Sequence, residues 1–153
     1  MQTELSVDVD RPIQEVFDRT LRDVSAWSIT CVEDEVLEET PEGVGTRFRI
    51  VTEDRGQRME FTGEVLEQDA PHRSRAVMVG KSFDIDVTYL FEEIPTGTRV
   101  TQDTTVTGKG LFKIVLPVMG FLMKKATCDA QQSELQSLKE YCERDEQAAH
   151  AES

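Results

Sequence analysis

Tyr89 is the side chain best placed for chemistry in this sequence. Phe83, Ile85, Val87, Tyr89 and Phe91 alternate with polar residues, so the phenol falls on the apolar, inward phase of a strand. An inward hydroxyl must find a partner or water. From there it could act as a general acid or base, and the same phase also suits a core tyrosine satisfied by a neighbour. Glu64 and the arginines Arg47, Arg49, Arg73 and Arg75 complete the acid–base candidates. Gln102 and Thr104 share the inward phase of the last strand with Val100 and Val106. They fit a few placed hydrogen bonds in a greasy pocket, or a strand end near solvent. A register slip of one residue would turn all of these side chains outward.

Other chemistries find little support. A serine or cysteine nucleophile needs a histidine inside the site. The two histidines are His72, beside the Pro71 turn, and His150, in the C-terminal tail. Cys31, Cys128 and Cys142 form no CxxC and are odd in number, which suits three free thiols in a reducing cytoplasm. No His/Cys pair has ligand spacing, and Asp84 and Asp86 alternate with Phe83, Ile85 and Val87, on the solvent phase. Gly43/Gly45 and Gly108/Gly110 are turn residues, too closely spaced for a dinucleotide fingerprint. No metal and no cofactor are expected.

Composition bounds the partners. The chain has 153 residues, 30 acidic against 17 basic, and a net charge of −13. It lacks the basic stripe that nucleic acid requires, so none is expected as a partner. A carboxylate-rich surface suits a high-salt cytoplasm and an ordinary acidic protein alike. No basic, then apolar, leader opens the sequence, and a cytoplasmic location is expected.

The elements that must position these residues follow from periodicity. Thr3 to Asp10 alternates as a strand. Asp10-Arg11-Pro12 then starts a helix with Asp10 as its expected cap, and Ile13, Val16, Phe17 and Leu21 form its apolar stripe. A short second helix carries Trp27, the sole tryptophan. Cys31 to Lys109 reads as a meander of six strands, separated by turns such as Asp54-Arg55-Gly56-Gln57 and Pro95-Thr96-Gly97-Thr98. One long helix is expected from Gly110 to about Arg144, in a single domain over 1–144, and the polar tail 145–153 is expected to fray.

Leu111 to Lys125, LFKIVLPVMGFLMKK, is apolar on nearly every side of a helix. It is too short for a span, which needs about 20 apolar residues. Phe112, Leu116, Met119 and Met123 form one face and Leu111, Val115, Val118 and Leu122 the other. One face is expected to wall a cavity. The other must then meet the sheet rim, a partner subunit or, transiently, a membrane.

Four stretches resemble the START-like helix-grip superfamily (SRPBCC), and within it the small polyketide cyclase/dehydrase and lipid-transport-type proteins. They are VDVDRPIQEVFDRTLRDVSAW, PEGVGTRFRI, VTYLFEEIPTGTRVT, and the Gly-x-Gly start of an apolar helix ending in LQSLKEYCE. Together they run from about Leu5 to Glu143. The resemblance implies an α+β fold, a strongly bent antiparallel sheet of about seven strands around a long C-terminal helix. It also implies an internal cavity between the two, but no single chemistry.

The expected cavity residues are Trp27, Phe48, Phe61, Val87, Tyr89, Gln102, Thr104, Phe112, Leu116, Met119 and Met123. The expected function is to hold a small hydrophobic or amphipathic ligand, a lipid, isoprenoid, sterol-like molecule or polyketide, as a carrier or sensor. The alternatives are a polyketide cyclase or dehydratase using the same cavity, with Tyr89 as the weak catalytic candidate, and a non-enzymatic interaction module. Inward phases that are mostly apolar favour the carrier.

Overall fold

Seven strands form one antiparallel sheet in the order β1-β7-β6-β5-β4-β3-β2. The computed structural model describes residues 1–152, with side chains described through Arg144. The expected fraying of 145–153 lies outside the described side chains. The strands are β1 (Gln2–Val9), β2 (Cys31–Glu38), β3 (Arg47–Asp54), β4 (Gln57–Asp69), β5 (Arg73–Gly80), β6 (Phe83–Ile94) and β7 (Gly97–Gly108). Helices α1 (Ile13–Arg22) and α2 (Val24–Trp27) follow β1, and α3 (Phe112–Leu122) and α4 (Lys124–Glu152) end the chain. This is the helix-grip α+β architecture.

Tight turns make consecutive strands antiparallel neighbours. The return of β7 to β1 is fixed by full register from Gln2 opposite Thr105 to Val9 opposite Thr98. Irregular pairing at Cys31/Glu33 and Val36/Glu38 in β2, and at Val65/Glu67 in β4, bends the sheet at its far end. Gly97 turns the β6–β7 hairpin at φ +145°, with the carbonyl oxygen of Val9 occupying the place where a Cβ would stand.

Two local expectations are corrected. Asp10 does not cap α1. Pro12 occupies the cap position with extended backbone, no side chain caps the helix, and the Asp10 N–H donates to Glu143 Oε1 at 3.0 Å. The expected single C-terminal helix is two. The break falls at Met123 (φ −109°, ψ 17°), not at Pro117 or Gly120, which stay inside α3. Gly120 is buried because Met1 packs there, its Sδ 2.8 Å from a would-be Cβ. Phe112 meets the Phe83 ring edge-on at 6.2 Å. These contacts hold α3 over the end of β7, and the chain must turn again to lay α4 across β1.

The core occupies one half of the concave face. Leu135, Leu138 and Cys142 of α4 are fully buried against Val7, Val9, Phe91 and Val100 of the sheet, Val16 and Phe17 of α1, and Trp27. Polar ties surround this stripe. The Glu134 carboxylate accepts from the Ile29 N–H at 3.1 Å and the Thr30 N–H at 3.2 Å, and Tyr141 donates to Asp23 at 2.8 Å. The helix α4 does not extend over β3, β4 and β5 or the adjoining half of β6.

Because Leu138 is wholly excluded from solvent, Leu138→Ala should lower the unfolding free energy by about 2–5 kcal/mol. Urea denaturation measures it, and a loss below about 1 kcal/mol would mean that α4 grips the sheet elsewhere.

Candidate functional site

The uncovered half of the sheet floors a cavity of about 770 Å³. Its floor is built from pairing rows that share one face. Phe48, Gly63, Met78 and Ile85 stand opposite one another across β3 to β6. Val65, Ala76, Val87 and Thr104 form the next row, and Ser74, Tyr89 and Gln102 the one after. Gly63 matters by what it lacks. The Phe48 ring lies where a Cβ would stand. Phe17, Thr20, Leu21 and Val24 of α1 and α2 roof the cavity, and Gln14, Asp18, Arg22, Glu39 and Gln68 stand at its rim.

Of the expected cavity residues, Phe48, Val87, Tyr89, Gln102 and Thr104 line this space. The structure places the other six elsewhere. Trp27 is in the core, its indole N–H donating to the Thr20 carbonyl at 3.1 Å. Phe61 is buried beside Phe83 and over Gly80. Phe112, Leu116, Met119 and Met123 belong to α3 and its C-cap, which pack on the β7 end and not over the hollow. The roof is therefore α1–α2, where a C-terminal helix is expected, because the break at Met123 carries α3 aside.

The polar end of the cavity is a directed chain of hydrogen bonds. Gln131 on α4 donates its amide protons to the Gln102 carbonyl oxygen and to Gln102 Oε1, both at 3.1 Å. Gln102 Nε2 donates to the Tyr89 hydroxyl oxygen at 2.8 Å. Burial pushes the Tyr89 phenol well above its ordinary range, which favours its neutral, hydrogen-bond-donating form. Ser74 is also buried and faces the cavity.

Asp34 is the site residue that the sequence reading misses. It lines the cavity opposite Ile50 on β3. Burial raises its carboxyl above the ordinary carboxylate value. The signal was present, since Val32, Asp34 and Val36 alternate, but the two irregularities in β2 blur its phase. The remaining candidates lie outside. Glu64 is exposed opposite Arg47. Arg49 pairs with Glu60 at 2.9 Å, Arg73 with Glu67 at 2.9 Å, and Arg75 with Asp86 at 2.7 Å. His72 is exposed, and His150 lies outside the described side chains. Burial is the main cause that pushes the Cys31 and Cys142 thiols up to about 11, so neither is an activated nucleophile. Among the described residues no group of three His, Cys, Asp or Glu could hold a metal.

The raised Asp34 value has a defined sign. Its stabilising contribution belongs to the protonated acid, is complete below the unfolded value and fades as pH rises through the folded one. Asp34→Asn should therefore leave the melting temperature unchanged near pH 3 and raise it near pH 7. Thermal scans at both pH values check this, and no gain near neutrality would show that Asp34 carries no burial penalty.

The comparisons with known proteins agree with this geometry. No curated protein matches the chain. Among solved structures, TTHA0849 from Thermus thermophilus is 22% identical with a TM-score of 0.73, over 95% of this chain and 99% of that one. A START superfamily protein from Mycobacterium smegmatis is 16% identical with a TM-score of 0.78, over 94% and 97%. The di-domain ARO/CYC BexL from the BE-7585A biosynthetic pathway is 16% identical with a TM-score of 0.72, over 94% of this chain and 50% of that one. At these identities the likeness is one of fold. The family model described as polyketide cyclase / dehydrase and lipid transport matches residues 1–143, so the chain belongs to that family.

Proposed function

We propose that the protein holds a small apolar or amphipathic molecule in the cavity, as a carrier or sensor. The observation that carries this reading is the hollow of about 770 Å³ itself. Its size falls in the range of ligand pockets, roughly 300–1,000 Å³. Its floor is aliphatic and aromatic, and its polar end carries neutral hydroxyls and amides. Water gains little in such a space, whereas an apolar ligand of matching size gains most of its surface burial.

Ala76 is the residue to block, since it is buried in the middle of the floor. Titration with Nile red should show saturable, stoichiometric binding to the native chain. Ala76→Phe should weaken it by about tenfold or more while the urea midpoint stays near native. Equal affinity in both proteins would place the dye elsewhere and end the cavity reading.

Asp34 favours a second reading, a polyketide cyclase or dehydratase. A carboxyl of raised pKa lining an enclosing cavity could move a proton while the walls orient a reactive chain. BexL, of similar fold, is named as an ARO/CYC protein.

We also infer that α3 meets an anionic lipid surface. Ile114, Phe121 and Leu122 are 74%, 85% and 76% exposed, together with Leu111 and Val118. Lys109, Lys113, Lys124 and Lys125 lie around them, and no acid occurs between Gly108 and Cys128. Lys113, Lys124 and Lys125, three of the six lysines of a chain of net charge −13, thus flank its most exposed apolar helix, while Lys109 is paired with Asp84 at 2.9 Å. That pairing of greasy face and basic collar suits an interfacial helix on anionic lipid. The chain should co-sediment with vesicles of phosphatidylcholine and phosphatidylglycerol but not with phosphatidylcholine alone. Lys124→Glu with Lys125→Glu should abolish the difference. Failure to bind either vesicle, or a dimer that hides α3, would overturn the inference.

A further inference from the structure

The hydrogen-bond chain at the polar end of the cavity has a fixed direction, set by one backbone atom. The Gln102 carbonyl oxygen can only accept, so the Gln131 group 3.1 Å from it must be the amide nitrogen. The second proton of that nitrogen reaches the Gln102 side chain, whose partner atom must then be Oε1. Gln102 therefore presents Nε2, not oxygen, to Tyr89, and the phenol oxygen accepts at 2.8 Å. Side-chain amides can usually be turned end for end without changing a structure. Here neither can. The consequence falls on the Tyr89 proton. Among the described residues Gln102 is the only hydrogen-bond partner of Tyr89, and that bond uses the oxygen. The ring is held by Phe91, stacked at 6.2 Å, and Tyr89 and Gln102 both line the cavity.

We propose that Tyr89 is an oriented hydrogen-bond donor whose partner is an oxygen acceptor on the ligand, so that the cavity selects molecules with a carbonyl or similar oxygen at one end of an apolar body. This rests on the reading that the cavity holds an apolar ligand, and narrows it to one polar function in one place. A hydrocarbon leaves a buried O–H without a partner, which is unfavourable. A ketone of the same shape satisfies it. Gln131 acts through Gln102 as a positioning residue. It supplies no contact to the ligand but decides which end of the Gln102 amide faces Tyr89. The burial that keeps the phenol protonated keeps the donor available across the physiological range.

The test uses two probes of nearly equal size, 2-acetylnaphthalene and 2-ethylnaphthalene, titrated calorimetrically into the full chain. The ketone should bind on the order of tenfold more tightly to the native protein. Tyr89→Phe should erase that preference while leaving affinity for 2-ethylnaphthalene unchanged or improved. Gln131→Met keeps the phenol but frees the Gln102 amide to turn and accept its proton, so the preference should fall there too. The infrared carbonyl stretch of the bound ketone should shift to lower frequency in the native protein and lose that shift in Tyr89→Phe. Equal binding of both probes to the native chain, or a shift that survives Tyr89→Phe, overturns the proposal and leaves the cavity reading standing. Binding of neither probe overturns both.

Discussion

The apolar stripe of α4 on one half of the sheet is the constraint from which the remainder follows. A helix with a single stripe can cover only a few strands, because its other sides must stay in water. Leu135, Leu138 and Cys142 commit that stripe to β1 and to the neighbouring parts of β6 and β7, together with α1 and Trp27. A seven-stranded sheet presents more concave surface than this. The surplus is held open because hydrogen-bonded, bent strands are stiff and tight turns set the register of the meander. It remains as a hollow beside the core. The cavity is thus a geometrical remainder of how the core closes, and its roof is made from whatever lies next to α4, namely α1 and α2.

Polar groups divide between the two faces of the sheet in a way that keeps the hollow nearly neutral. The outer face carries arginine–carboxylate pairs such as Arg75–Asp86 and Arg99–Asp8. Arg99–Asp8 is exposed and Arg75–Asp86 half-buried, and such surface pairs add little to stability. The inner face carries amides, hydroxyls and one carboxyl. Asp34 is the carboxyl of the cavity floor and stands near the edge of the sheet, where water can still reach it, while Asp18, Arg22 and Glu39 are charged groups of the rim. An acid deeper in the floor would face a far larger solvation penalty.

Much of the architecture was legible because it rests on short-range rules. Alternation in β6 fixed which residues face inward, and turn residues fixed the meander. The inward phases of β6 and β7 brought Val87, Tyr89, Gln102 and Thr104 to the cavity wall together. The rest depends on long-range packing. Whether a bulky apolar residue fills a core or lines a hollow is not encoded in its phase, so Trp27 and Phe61 read as wall and sit in packed surroundings. The place where the last helix breaks depends on Met1 seated against Gly120 and Phe83 seated against Phe112, residues far apart in sequence. Asp34 was hidden by pairing irregularities in β2. The Gln131–Gln102–Tyr89 relay joins a helix to two strands, and periodicity carries no trace of it.

The seat of Phe48 on Gly63 has an evolutionary consequence. The residues that hold the fold together and those that shape the hollow belong to different rows of the same sheet. A mutation at Gly63 would lift the ring inward and shrink the chamber without touching Leu135 or Leu138. Chamber volume can therefore drift by single codons while the scaffold stays as it is. Such a scaffold can diversify its contents faster than its shape.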